Sequence, residues 1–271
     1  MAEAVDPPFD QPDTLFNSLE GWTWVGCYGG YYLQSNLLAR FEHGFFTRQW
    51  QGRGPEVLAG YLSAGVTVHR PQQIHSAIVR AASTAANLPW PEADGLVSDG
   101  GGQSLWVCGA DCTPVLLADP RRGAVAACHA GWRGVASRIL VAAIESLEAG
   151  GSERSDLLVA LGPAVSGLRY QVERSVTVQV ASALDQPCAF PSEQDALGEL
   201  KRSGGLLEDP TPGHDRLDIR AAAARQLERA GLAKEQISIC PLCTVDEPLL
   251  FHSWRRDQVK AVQWSGIVSQ A

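Results

Sequence analysis

Short alternations of apolar and polar residues open the chain. WTWVGCYGG, YYLQS and HGFFTR place aromatic and branched side chains on every second position, with a turn at Gly29-Gly30, which predicts strands joined by turns. Residues 51–66 hold PEVLAGYLS, a short helix ending near Gly65. TVHRPQQIHSAIV reads as an alternating strand interrupted by a proline, with His75 on it. LWVCGA, PVLLADP and AVAACHA read as three strands. The turn at Pro120 to Gly123 predicts that the last two are antiparallel neighbours. Val135, Ile139, Leu140, Ala143, Ile144 and Leu147 recur at helical spacing, so RGVASRILVAAIESLEAGG predicts a helix that Gly150 ends. DLLVALGP is continuously apolar, as a strand buried on both faces requires. Residues 185–215 are polar and predict a loop or insertion with one short helix around SEQDALGELKRS. Asp218 is placed to cap IRAAAARQLERA, which ends at Gly231, and ISIC is a further strand.

No repeat and no linker divides this pattern. The simplest organisation is a flexible tail over residues 1–20 and one domain of mixed strands and helices over 21–271. The 45% hydrophobic and 19% charged content fits a soluble globular chain. A net charge of −8 offers nothing to a phosphate backbone, so nucleic-acid partners are not expected. No run of about 18 apolar residues is present, so no membrane span is expected. The acidic, proline-bearing start lacks the features of a signal peptide, which points to a cytoplasmic protein. Nothing marks an oligomer interface, and a monomer is expected. The seven cysteines fit a reducing compartment, where most are apolar fillers. The CPLC at Cys240 and Cys243 has no second CxxC to complete a four-thiolate site, and it does not lie between a strand and a helix start.

Three segments carry the candidate chemistry: His75 in QQIHS, Cys112 in GADCTPVLLADP and His129 in ACHAGWRG. Two imidazoles and one thiolate suit a zinc ion that keeps its fourth position open. Asp111 could orient a ligating histidine, or could be a turn residue. In ACHAGWRGVAS a small-residue strand runs through Gly131 and Gly134 into a helix. The helix N-terminus and Arg133 could together hold an anion. A tight turn, with Arg133 paired to a surface carboxylate, accounts equally for the same residues. Arg48 and Arg255 are further candidates for substrate contacts, and each could equally be a surface ion pair.

The QIH, ADCTP and HAGWRG segments, in this order, resemble the YfiH/laccase-domain family, also called the polyphenol oxidase-like or peptidoglycan editing factor family. LGPAVSGLRYQV, CTVDEPLLFHSWRRD and HGFFTR resemble further stretches of it, so the likeness runs from about His43 to the C-terminus. The resemblance implies an α+β fold of four layers, α/β/β/α, with mixed sheets. It also implies zinc held by His75, Cys112 and His129, with copper as the other candidate metal. The activity it implies is phosphorolysis of adenosine, inosine or S-methyl-5′-thioadenosine, with adenosine deamination beside it. Nucleoside and phosphate would then be the small-molecule partners. This chain departs from the family in a short stretch after Arg48, in Gln171 where glutamate is usual, and in Ala261-Val262 where the family has Gly-Arg.

Three other readings compete. Multicopper phenol oxidation needs about ten histidines, and this chain has six. Amide hydrolysis of peptidoglycan precursors would use Cys112 as nucleophile and His129 as base. A non-catalytic ligand-binding protein is the third.

Overall fold

The computed structural model describes residues 18–27, 30–184 and 190–270. Most of the expected tail, residues 1–17, lies outside the described residues, and so does Gly29 of the first expected turn. The strands are β1 (Trp22–Cys27), β2 (Gly30–Ser35), β3 (His43–Phe46), β4 (Thr67–His69), β5 (Val79–Ala81), β6 (Gly95–Val97), β7 (Gln103–Gly109), β8 (Thr113–Ala118), β9 (Val125–Ala130), β10 (Leu158–Leu161), β11 (Gln171–Glu173), β12 (Leu206–Glu208), β13 (His214–Leu217), β14 (Ile237–Ile239) and β15 (Gln263–Val268). The helices are α1 (Pro55–Leu62), α2 (Trp132–Ala136), α3 (Ile139–Ala149), α4 (Arg174–Ser182), α5 (Glu193–Arg202), α6 (Ile219–Arg229) and α7 (Trp254–Asp257). None of the described helices is long and apolar enough to cross a membrane.

Two six-stranded sheets form the body. The first has the order β1-β2-β3-β15-β7-β4 and the second β14-β10-β8-β9-β6-β5. Both are mixed: β4 pairs parallel to β7, and β10 to β14 and β5 to β6 are parallel, among antiparallel neighbours. A small antiparallel sheet, β11-β13-β12, stands apart.

Side-chain alternation explains the layering. On β8, Val115 and Leu117 join the core beneath α3 and α6, whereas Leu116 and Ala118 join the core shared with the first sheet. Every β8 position is buried, so the strand reads as one apolar run. The first sheet behaves likewise: Leu33, Phe45, Leu105 and Val107 face the second sheet, while Tyr32, Phe46 and Trp106 pack under Leu58 and Ala59 of α1. The result is α/β/β/α, as expected. Gly162 permits the close approach between sheets, because a Cβ there would enter the Phe45 ring and press on Pro114.

Several expectations need correction. His75 is not on a strand; it lies in the loop between β4 and β5, with φ at 60°. The helix expected after Arg133 is two helices, because Arg138 adopts φ 65° and turns the chain between α2 and α3. The break lets Val135 and Ile139 both bury on the second sheet. The region 185–215 carries α5 as expected, but also β12 and the start of β13. Residues 185–189 lie outside the described residues. Asp218 caps α6 as expected, accepting from the amides of Arg220 and Ala221. Cys240 and Cys243 are buried, in keeping with apolar fillers.

His43 shows how the first sheet responds to pH. Its Nε2 accepts from the Ser35 amide at 2.9 Å, so Nδ1 carries the proton and donates to the Phe41 carbonyl at 2.8 Å. Burial of this neutral ring lowers its pKa to about 4. The unfolded chain takes up a proton near pH 6.5 that the folded chain refuses until about 4. Stability is therefore full above that window and falls as the pH drops through it, by about 3 kcal/mol from this group. Urea unfolding from pH 7 to 4 should show this slope, and His43→Gln should flatten it. An equal slope in the variant would assign the loss to other groups.

Candidate metal centre

Two of the passages of the chain between the two sheets carry ligands of this centre. One is the loop from β4 to β5, which carries His75; the other is the turn from β7 to β8, which carries Cys112. His129 sits on β9, opposite Pro114 of β8. This register sets Cys112 beside Gly131, the residue just before α2. The ligand atoms of His75, Cys112 and His129 lie within 4.8 Å of one another. The two imidazole rings meet edge to face, with centroids 4.8 Å apart. His129 is buried, Cys112 half-buried and His75 exposed, so the trio opens in one direction.

Gly131 is needed here for its missing side chain. A Cβ would lie 2.8 Å from the Cys112 Sγ and 3.6 Å from the His75 ring. Gln73 also pins the loop: its side-chain amide exchanges two 2.8 Å hydrogen bonds with the backbone of Cys108.

The residue that organises the trio is Asp94, just ahead of β6. One oxygen accepts from the Ile74 amide at 3.1 Å, the Ser76 amide at 2.6 Å and the Ser76 hydroxyl at 2.8 Å. The other accepts from the His75 amide at 3.0 Å and faces His129 Nδ1 at 2.9 Å. One carboxylate thus holds the left-handed His75 backbone and orients the His129 ring, leaving His129 Nε2 for Cys112 or a metal. A carboxylate behind a ligating histidine is the usual support of a zinc site. Burial opposes the Asp94 charge, but the hydrogen bonds from His129, Ser76 and Ile74 outweigh it and bring its pKa to about 2. Burial also opposes ionising Cys112, yet hydrogen bonds from His129 and His75 lower its thiol to about 6. For His129, burial is overcome by Asp94 and Cys112, which raise it to about 9. A thiolate beside two imidazoles is the donor set a zinc ion takes, so the residues present fit the metal.

Asp111 does not orient a histidine. It has φ 96°, and its carboxylate accepts from Thr244 Oγ1 and from the Arg255 amide, both at 2.6 Å. It clamps the C-terminal segment against the turn that bears Cys112.

The trio opens into a cleft of 620 Å³, whose walls include Trp132, Arg133, Tyr170, Trp254, Arg255 and Lys260. The Arg133 guanidinium lies over the Trp132 ring at 4.4 Å, and that of Arg255 over Tyr170 at 4.9 Å. Stacking occupies the guanidinium face and leaves its N–H edge free to bind. Burial, with the nearby Cys112 charge, pushes the Tyr170 hydroxyl up to about 12, so it remains a proton donor. The short α2, of five residues, contributes little of the helix-end field expected before Arg133.

Arg48 is elsewhere: its guanidinium donates to the Pro248 carbonyl at 2.7 Å, and it does not line the cleft. Gln171 is also outside, donating to Asp209 and Thr211. Ala261 and Val262 do line the cleft, so that departure from the family bears on the site.

Asp94→Asn removes the charge and leaves one oxygen where two served five donors. Metal affinity should fall about 10- to 100-fold, read by competition with a chromophoric chelator, with circular dichroism to verify folding. Gly131→Ala should also weaken the metal, by driving a methyl group against Sγ. Wild-type affinity in a folded Asp94→Asn protein would remove Asp94 from the centre.

The family model described as multi-copper polyphenol oxidoreductase laccase matches residues 56–269. A purine nucleoside phosphorylase of Synechocystis sp. is 40% identical over 256 residues, covering 92% of this chain and 97% of that protein. The purine nucleoside phosphorylase YlmD of Bacillus subtilis is 34% identical over 169 residues, 62% of this chain and 55% of that one. Among solved structures, YfiH of Bacillus licheniformis superposes with a TM-score of 0.73 at 25% identity, covering 88% of this chain and 96% of that one. YlmD of Geobacillus stearothermophilus, at 23% identity, shares the fold with a TM-score of 0.74 over 98% of this chain and 100% of its own. With its four layers and its His-Cys-His trio, the chain belongs to the laccase-domain family that includes the YfiH and YlmD proteins.

Proposed function

We propose that this chain is a zinc-dependent purine nucleoside phosphorylase. Its substrates are adenosine, inosine or S-methyl-5′-thioadenosine, split by phosphate into free base and (methylthio)ribose 1-phosphate, with adenosine deamination as a side activity. One observation carries this reading: the trio opens into a nucleoside-sized cleft lined by Arg133, Arg255 and Lys260, in a chain whose net charge is −8. Cations gathered there, against the overall charge, suit an anionic reactant. The names of the relatives from Synechocystis and Bacillus subtilis support the same reading.

Zinc held by His75, Cys112 and His129 would supply a Lewis-acid centre with an open position. The chain's own groups do the rest. In phosphorolysis a phosphate oxygen bonds to ribose C1′ as the C1′–N9 bond breaks, and the purine leaves with the electron pair. The free edges of Arg133 and Arg255 bind and orient the phosphate, and their charge lowers its cost of entering the cleft. Asp94 orients the His129 ring so that Nε2 points toward the metal side. The Tyr170 hydroxyl, still protonated, can donate a hydrogen bond to the departing base or to the sugar.

A second reading rests on the line Cys112–His129–Asp94, which has the order of a nucleophile, its base and an orienting acid. It would serve amide hydrolysis of peptidoglycan precursors. The same thiolate cannot both ligate zinc and attack a substrate, so metal content separates the two. Four-copper phenol oxidation draws no support from the remaining histidines. His43, His69 and His214 contact backbone carbonyls, and His252 is buried outside the cleft.

Purified, metal-analysed protein should release adenine and ribose 1-phosphate from adenosine only when phosphate is present. Chelation should abolish turnover and zinc should restore it. His75→Ala and Cys112→Ala should each lose the metal and keep the fold. Arg133→Ala should raise the KM for phosphate about 10-fold or more and change the KM for adenosine far less. Stoichiometric zinc without product would turn the assignment toward the amide substrate. A phosphate KM unchanged in Arg133→Ala would remove that arginine from the anion site.

A further inference from the structure

Three aromatic side chains line the cleft, and they differ in what covers them. Trp132 carries the Arg133 guanidinium and Tyr170 carries that of Arg255. Among the described residues no guanidinium or second ring stacks on Trp254, which is 51% exposed. An uncovered apolar ring on the wall of a cleft is placed to meet whatever enters it, and covering it would be favourable.

Its mount is rigid. The next residue, Arg255, donates its amide to Asp111 at 2.6 Å. Arg256 donates to the Thr244 and Phe251 carbonyls at 2.7 and 2.9 Å, and its amide donates to the Ser253 hydroxyl at 3.1 Å. Thr244 is itself bound to Asp111, the neighbour of Cys112. The α7 backbone that bears Trp254 is therefore tied to the same turn that presents the thiolate. An exposed indole on a fixed backbone offers flat contact area with little ordering cost when a ligand arrives. The charged edges of Arg133 and Arg255 attract anions, whereas an uncovered indole attracts a flat heteroaromatic ring.

We propose that Trp254 is the stacking platform for the purine base, and so the residue that sets the preference for purine over pyrimidine nucleosides. This rests on the nucleoside reading above. A bicyclic purine overlaps an indole over more area than a single pyrimidine ring, so loss of the indole costs purines more.

The test uses zinc-loaded Trp254→Ala and Trp254→Phe, with calorimetric binding of adenosine and steady-state kinetics on adenosine and uridine. Trp254→Ala should weaken adenosine binding and raise its KM about 10- to 100-fold, with kcat falling far less. The KM for phosphate and the zinc content should not move. The adenosine-to-uridine ratio of kcat/KM should shrink toward unity, and Trp254→Phe should restore most of the lost affinity. Adenosine affinity equal to wild type in Trp254→Ala would overturn the proposal. So would a variant that changes only its solution mass, which would assign Trp254, with the exposed Leu249 and Val259, to a protein interface. A wild-type protein that binds no adenosine would instead overturn the nucleoside reading, and this proposal with it.

Discussion

The carboxylate of Asp94 is the point on which the rest of the centre depends. It is fully buried, and five donors converge on it from the His75 loop and from His129. A buried charge is stable only when its hydrogen-bonding capacity is met, and here it is met by the groups that must be positioned for chemistry. The backbone at His75 lies in a region that a residue with a Cβ avoids, at a cost of about 1 to 2 kcal/mol. Three amides bound to one carboxylate offset that cost. The strain is local, and its compensation is the same group that fixes the second imidazole.

Around this anchor the fold separates two kinds of recognition. The trio, backed by the buried Asp94 carboxylate, forms a polar floor to the cleft. The walls are aromatic, and two of the three rings carry arginines whose edges stay available. Charge for an anion and flat area for a ring are thus supplied by neighbouring groups, while Asp111 links the floor to the C-terminal wall.

Much of this was legible in the sequence. Alternation located β1 to β3, the turn at Pro120 to Gly123 marked β8 and β9 as neighbours, and a continuous apolar run located β10. Asp218 announced α6 because capping is a local interaction. The trio was legible by residue type, by the motifs around it and by their resemblance to a family. What local pattern could not carry was long-range. Asp94 gave no signal, because its partners are amides 18 to 20 residues earlier and a histidine 35 residues later. Arg48 read as either a substrate contact or a surface ion pair, and its partner is instead a carbonyl 200 residues away. The left-handed turns at His75 and Arg138 occur without glycine, so no residue type marked them. The small sheet was missed because strands of three or four residues are too short to show a period.

The two ligand-bearing crossings between the sheets have a mechanical meaning. His75 and Cys112 ride on separate passages of the chain from one sheet to the other, and His129 belongs to the second sheet alone. A ligand gripping all three is a cross-link that closes long loops, and it would have to be released before the sheets could part. Because the ligand would bind the assembled centre and not the opened chain, its occupancy would stabilise the whole body against unfolding and not only order the cleft. The layer interface and the reactive centre would then fail together under heat or force, as parts of one hinge held by one pin.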